Sequence, residues 1–423
     1  MSQHFNALET RSPQQREAEL MAALPAQIAN AQNNSAAFAE ILKGVDAGSI
    51  HSRSALAQLP VTRKYELLER QQALRASRPG VEPFGGFSTI GWKGMVRSAG
   101  AKRVYQSPGP IYEPEGHAAD YWRAGRAMVA AGFEAGDLVH NCFSYHLTPG
   151  AWIMESGAHA VGCTVIPGGV GNTEQQLAAL ADLKPVAYSG TPSFLKILME
   201  KASEAGQKLS ITKALVSGEA CPPSLTAWFA EQGVAVYQCY ATADVGLIAY
   251  ETESRQGLVL DEGVIVEIVR PGTGEPVPEG EVGEVVVTVL NPDYPLIRFG
   301  TGDLSAVLPG TCPTGRTNTR IKGWMGRADQ TTKVRGMFVH PGQVNEVVKR
   351  FETIRKARLV VTGEMANDQM CLQVETEESG DALAKQIAEV VRDVTKLRAD
   401  VKLMSPGSLP NDGKVIEDAR SYK

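Results

Sequence analysis

Four short segments of the chain combine glycine turns with residues that can bind or neutralise charge. In order they are Ser217-Gly218-Glu219-Ala220-Cys221; Tyr237-Gln238-Cys239-Tyr240-Ala241-Thr242-Ala243-Asp244-Val245-Gly246; Ile297-Arg298-Phe299-Gly300-Thr301-Gly302-Asp303-Leu304; and Gly326-Arg327-Ala328-Asp329-Gln330 followed by Lys333-Val334-Arg335-Gly336. Strand ends followed by glycine-containing turns bring backbone groups and a carboxylate to the carboxyl edge of a sheet, where open α/β sheets bind ligands. An Asp in a Thr-Gly-Asp turn is suited to accept hydrogen bonds from two ribose hydroxyls, and Tyr240 beside a small residue offers a stacking face for a base. Taken singly, Gly-Asp-Leu and Gly-Arg-Ala-Asp are ordinary turns, and a lone Tyr is more often a core aromatic. Their shared order and spacing favour a site.

The elements that must position these segments follow from periodicity. Residues 1–90 read mainly as helix, with helical apolar spacing over 15–31 and 36–42. The stretch 59–64 reads as a loop leading into another helix. From about Gly116 helices alternate with short apolar strands: helix 122–131, strand 138–143, helix 150–159, strand 164–167, helix 174–183, strand 185–189, helix 192–205 and strand 214–217. Alternation at this pace predicts a mostly parallel sheet flanked by helices. Beyond Tyr250 the β-rich runs 264–269 and 284–290, separated by Pro, Gly and Glu residues, predict an antiparallel meander. After Asp329 the pattern 333–339, helix 343–350, strands 357–362 and 370–376, helix 382–397 and strand 401–404 forms a small α+β unit. The fold expected is α/β: a large multi-sheet N-terminal domain over 1–328 and a small α+β C-terminal domain over 329–423.

With these segments in place, the chain resembles the phenylacetate–coenzyme A ligase family of the adenylate-forming superfamily, over nearly its whole length. Besides the four stations, the similarity is carried by Asn141 to Tyr145, Thr164-Val165-Ile166-Pro167, Gly171-Asn172-Thr173-Glu174 and Gly190-Thr191-Pro192-Ser193-Phe194. Val339, Pro341, Gln343 and Glu346 carry it after the hinge, and Gly413-Lys414 carries it near the C-terminus. The resemblance implies ATP, magnesium and coenzyme A as cofactors. It implies that Gly218, Glu219 and Ala220 line an adenine pocket on which Tyr240 stacks. Asp244 would stand at a magnesium-binding position, Asp303 would hold the ribose and Arg327 would add a ribose or phosphate contact. Asp329 would be the hinge of a mobile C-terminal domain and Lys414 the lysine reaching carboxylate and α-phosphate. Phe143, Tyr145 and His146 would line the acyl pocket, and Arg335 and Gly336 the coenzyme A side.

The pattern departs from the family at its phosphate-binding loop, a Ser/Thr/Gly-rich run replaced here by residues 106–116, Gln-Ser-Pro-Gly-Pro-Ile-Tyr-Glu-Pro-Glu-Gly. Pro108 and Pro110 carry no N–H, so a nest of backbone donors is poor, and Glu113 and Glu115 are expected to repel a triphosphate. Ala243 also removes a hydroxyl ahead of Asp244. At the positions where some relatives hold a structural metal stand Thr252, Val259, Cys312 and Thr314; one thiolate makes no tetrahedral site.

A net charge of -5 gives no footprint for nucleic acid. The N-terminus lacks a secretory pattern, no apolar run is long enough for a bilayer, and six scattered cysteines without CxxC fit free thiols in the cytoplasm. The partner expected is a small-molecule carboxylic acid, aromatic or medium-sized, with neither nucleic acid nor membrane; a homodimer is the assembly kept in view. The activity expected is ATP-dependent formation of an acyl-adenylate and transfer to coenzyme A. Two other readings stand beside it: a nucleotide- or acyl-binding protein without turnover, and an adenylating enzyme whose acceptor is a carrier protein or an amine. Metal analysis of the purified protein is expected to show no stoichiometric zinc; an ion held by Cys312 and three further protein ligands would overturn that.

Overall fold

A computed structural model describes residues 4–420 except 79, 81, 92–99, 271–272, 326, 329–331, 336, 340, 364–367 and 411–413. Asp329, Gly336 and Gly413 therefore lie outside the described residues. The chain divides into two compact units: Met1–Cys221 with Leu225–Met325, and Gly326–Lys423 with Pro222–Ser224.

The larger unit is built on a nine-stranded sheet. Thr164–Pro167, Leu138–Asn141, Ala187–Gly190, Lys213–Val216 and Ala235–Thr242 run parallel in that order across it. Gly246–Glu251, Leu258–Leu260, Arg320–Ile321 and Val307–Leu308 continue it antiparallel. The inner parallel strands Ala187–Gly190 and Lys213–Val216 are buried almost throughout, which is why they read as short continuous apolar runs rather than as alternation. A second sheet of four strands orders Thr62–Arg63, Phe299–Ser305, Gly283–Val289 and Val264–Val269, and one apolar core joins residues of the two sheets to Leu24, Ile28 and Phe38 of the N-terminal helices. Buried ion pairs fix those helices as well: Arg16 Nε lies 2.8 Å from Glu262, and Arg316 Nε lies 2.7 Å from Glu9.

Three local outcomes differ from the periodicity. Helix Gly125–Ala130 starts later than expected. Asp120 and Arg123 adopt positive φ ahead of it, and the Asp120 carboxylate accepts the Gly125 N–H at 2.9 Å. The stretch 59–64 contains a two-residue strand, Thr62–Arg63, parallel to Phe299 and Gly300, with helix Lys64–Ser77 starting directly after it. Residues 103–115 form a β-hairpin, Arg103–Ser107 paired with Ile111–Glu115.

Taken by itself, the smaller unit has the sheet order Asp400–Met404, Gln369–Glu375, Lys356–Thr362, Ile416–Asp418, with helices Pro341–Lys349 and Asp381–Thr395 and a hairpin of Thr332–Val334 with Met337–Val339. Ile387, Val391 and Thr395 are buried at four-residue spacing, one face of the second helix. Among the described residues no helix is long and apolar enough to cross a membrane.

Arg298, directly before a strand of the second sheet, is a deeply buried charge at 2 % exposure. Its guanidinium pairs with Glu267 at 2.9 Å and donates to the carbonyls of Ala57 at 2.9 Å, Gly274 at 2.6 Å and Leu59. Removing one partner of a buried, hydrogen-bonded pair leaves the other charge uncompensated. Arg298→Ala is expected to destabilise the protein by about 3–5 kcal/mol, read as a lowered urea midpoint; a shift within error would show that the pair is not holding the sheet.

Candidate active site

Tyr240 lies near the end of Ala235–Thr242 in the large sheet, and Asp303 on Phe299–Ser305 in the second. Tyr240 Oη donates to Asp303 Oδ2 at 2.8 Å and lies 3.1 Å from Thr301 Oγ1. Trp324 Nε1 donates to Asp303 Oδ1 at 3.1 Å. Thr301 Oγ1 donates to Val285 O at 2.9 Å and receives the Asp303 N–H at 3.1 Å. The Asp303 carboxylate is thus oriented by a donor on each oxygen and buried to 7 % exposure. Asp303 belongs to a strand rather than to the turn read from Thr-Gly-Asp. Strand period two puts Thr301 and Asp303 on one face.

The turn after Tyr240 carries Asp244, whose Oδ2 accepts from Lys64 Nζ at 3.0 Å. The turn is tight, with Thr242 paired to Gly246. Gly246 has φ +77°, and a Cβ there would fall 2.8 Å from Trp122, so only glycine fits. Asp244 and Glu113 are nearly inaccessible. Burial, and then the Asp244 carboxylate beside it, push the Glu113 carboxyl well above the usual carboxylate range, against the pull of Lys64. Ser107 Oγ donates to Glu113 Oε1.

The hairpin 103–115 therefore sits differently from a glycine-rich loop. Glu115, expected to repel phosphate, is matched by Arg103 at 2.9 Å, Lys102 at 3.2 Å and the Tyr105 hydroxyl. Around the hairpin tip, residues 106–110 and His146, Leu147 and Thr148 line a hollow of about 480 Å³.

Gly218, at φ +81°, and Glu219 are exposed after Lys213–Val216, while Ala220 is half-buried. A Cβ on Gly218 would lie 3.7 Å from the Phe143 ring and 3.8 Å from Thr191. Phe143 thus faces the first station. Tyr145 instead accepts from Asn141 Nδ2 at 2.9 Å and donates to Glu155 at 2.7 Å, with Trp152 edge-on to its ring. The exposed His146 is at the hairpin hollow. In the smaller unit, Arg327 is half-buried and Lys414 exposed. Arg335, at φ +47°, is exposed and held by Asp368, whose carboxylate accepts its N–H at 2.9 Å and whose carbonyl accepts its Nε–H at 3.0 Å. Hydroxyls of Thr252, Thr314 and Ser254 stand 3.4, 3.1 and 3.7 Å from the Cys312 sulfur. Burial, which raises that thiol, is outweighed by these hydrogen bonds, which lower it.

Residues 119–289 match the family model described as AMP-binding enzyme, and residues 336–419 that of its C-terminal domain. A phenylacetate-coenzyme A ligase of Thermus thermophilus is 30 % identical over 404 residues, covering 87 % of both chains. This chain belongs to the phenylacetate–coenzyme A ligase family. A second ligase of that name, from Aromatoleum evansii, is 28 % identical over 86 % of this family member and 84 % of its own length. A 2-hydroxyisobutyryl-CoA ligase solved with its acyl-adenylate and CoA in the thioesterification state superposes with TM-score 0.77 at 25 % identity, covering 100 % of this chain and 93 % of its own.

Lys64, Glu113, Thr301 and Trp324 were not singled out as site residues from the sequence. Glu113 carried a signal, as an acid inside a phosphate-loop position; Lys64 and Trp324 carried none, because strand pairing and chain return bring them in. In a double-mutant cycle, Tyr240→Phe and Trp324→Phe are expected to couple by about 0.5 kcal/mol or more in unfolding free energy, since they share one carboxylate. Strict additivity would mean that Asp303 is positioned otherwise.

Proposed function

We propose that this ligase-family member activates an aromatic or medium-sized carboxylic acid of the phenylacetate kind with ATP as its acyl-adenylate, then transfers the acyl group to coenzyme A. The observation that carries the reading is the oriented Asp303 carboxylate hydrogen-bonded to Tyr240 across two sheets, in a chain aligned over most of its length with acid–CoA ligases. In this reading Asp303 accepts the ribose hydroxyls, Tyr240 offers its ring to the base, and Gly218, Glu219 and Ala220 border the adenine. Arg327 adds a ribose or phosphate contact. Phe143, beside Gly218, is the acyl-side residue at the first station; Tyr145 and His146 are assigned to that side as well, and Arg335 and Gly336 to coenzyme A binding.

A carboxylate is already ionised at neutral pH and needs no general base to attack the α-phosphate. The difficulty is that two anions must meet. Lys414 supplies positive charge at the reacting groups. Asp244 fits magnesium, because its Oδ1 is buried and accepts no hydrogen bond. Bound there, the ion neutralises phosphate charge. Thioester formation requires Lys414 to withdraw and a thiol to enter, which rotation about Asp329 provides.

The hairpin in place of a glycine-rich loop favours a second reading, retention of binding without turnover. Acid-dependent ATP–pyrophosphate exchange over a panel of acids, with and without coenzyme A, separates the two. Exchange with thioester formation supports the ligase. Exchange without it points to a carrier-protein or amine acceptor, and nucleotide binding without exchange to the binding protein. Lys414→Ala is expected to lower adenylate formation by a factor on the order of 10² or more while leaving thioester formation from supplied acyl-adenylate much less affected. An equal fall of both half-reactions would show that Lys414 supports the fold of its domain instead.

A further inference from the structure

Glu113 and Asp244 come from a hairpin strand and a distant turn, yet their carboxyl groups lie side by side at 2 % and 6 % exposure. Two buried carboxylates in contact need a counter-charge or a shared ligand. The neighbours on hand satisfy only one oxygen of each: Ser107 Oγ donates to Glu113 Oε1, and Lys64 Nζ to Asp244 Oδ2. Glu113 Oε2 and Asp244 Oδ1 are both buried and accept no hydrogen bond. A third polar atom points the same way, for the Tyr294 hydroxyl is buried at 3 % exposure without a partner and senses both carboxylates. Buried polar atoms are nearly always satisfied, so three orphans around one acidic pair indicate a missing ligand.

We propose that Glu113 and Asp244 together form a divalent-cation site in which Glu113 is a second protein ligand that the family pattern does not supply. Oxygen donors select a hard cation over zinc or copper. Among the described residues no group of three His, Cys, Asp or Glu side chains could close a cage around an ion. Two carboxylates with positions left for phosphate oxygens and water are what magnesium uses at nucleotide sites. Resting on the ligase reading for its nucleotide, the proposal also accounts for the hairpin. Pro108 and Pro110 remove backbone donors, and the same segment delivers Glu113, so its contribution to a triphosphate passes through a carboxylate-bound cation instead of N–H groups. Lys64, on the other Asp244 oxygen, leaves Oδ1 and Oε2 to the ion.

The test is Mn²⁺ titration of the nucleotide-free, full-length protein, followed by the loss of the free-ion electron paramagnetic resonance signal. One Mn²⁺ per chain is expected. Glu113→Gln is expected to weaken it by about tenfold or more and Glu113→Asp by less, because ligand charge sets the affinity of such sites. Asp244→Asn, read the same way, serves if Glu113→Gln does not fold. No bound Mn²⁺ at millimolar concentration, or unchanged binding in Glu113→Gln, overturns the site and leaves the pair sharing a proton. Pyrophosphate exchange measured on the same preparations keeps the two readings apart. Exchange without Mn²⁺ binding sinks the site and spares the ligase; Mn²⁺ binding without exchange for any acid does the reverse.

Discussion

The guanidinium of Arg298 sits at 2 % exposure, where a charge is tolerated only if every side is matched. Glu267 matches the charge and three backbone carbonyls take up its remaining donors. These contacts reach the loop before Thr62, the strand Val264–Val269 and the turn at Gly274, so one side chain fastens three separate segments. Arg298 also has φ +45° and stands directly before Phe299–Ser305. Its anchoring therefore sets the register of the strand that carries Thr301 and Asp303. A slip of one residue would turn Asp303 to the other face of the sheet and away from Tyr240.

The same anchoring places Lys64. Thr62 and Arg63 pair with Phe299 and Gly300, and Arg63 is ion-paired with Glu284 of the next strand. The helix starting at Lys64 then presents its first residue to Asp244. One edge pairing of two residues thus carries a cation to a carboxylate 180 residues away in sequence. The placements of Asp303 and of Lys64 against Asp244 consequently share a mechanical origin, the end of Phe299–Ser305 nearest Arg298.

Charge is handled differently at two neighbouring acids of the hairpin. Glu115 meets two cations and a phenol, so its burial is compensated within the hairpin and its neighbours. Glu113 meets a hydroxyl and another carboxylate, and burial and repulsion both act on it. Residues two apart share one face of a β-strand, so the opposite fates of these two acids come from the different groups packed against each, not from alternation. A loop whose composition suggested only repulsion toward phosphate divides into a structural acid and a chemical one.

The sequence by itself determined the alternating strands and helices of the parallel half, the small α+β unit and the order of the four stations, because these depend on residues close together along the chain. Period-two and period-3.6 apolar spacing and glycine turns are local signals, and Tyr240, Asp244 and Asp303 were legible as types able to meet a nucleotide. Tertiary structure alone decided that Tyr240 bonds to Asp303 across two sheets and that Trp324 completes that carboxylate. It alone turned residues 103–115 into a hairpin and joined Lys64 and Glu113 to Asp244. The physical reason is sequence distance. A two-residue strand such as Thr62–Arg63 has no periodicity to read and exists only because Phe299 and Gly300 offer it an edge. The acidity of a buried Glu113 likewise belongs to the charges packed around it, which no stretch of neighbouring residues specifies.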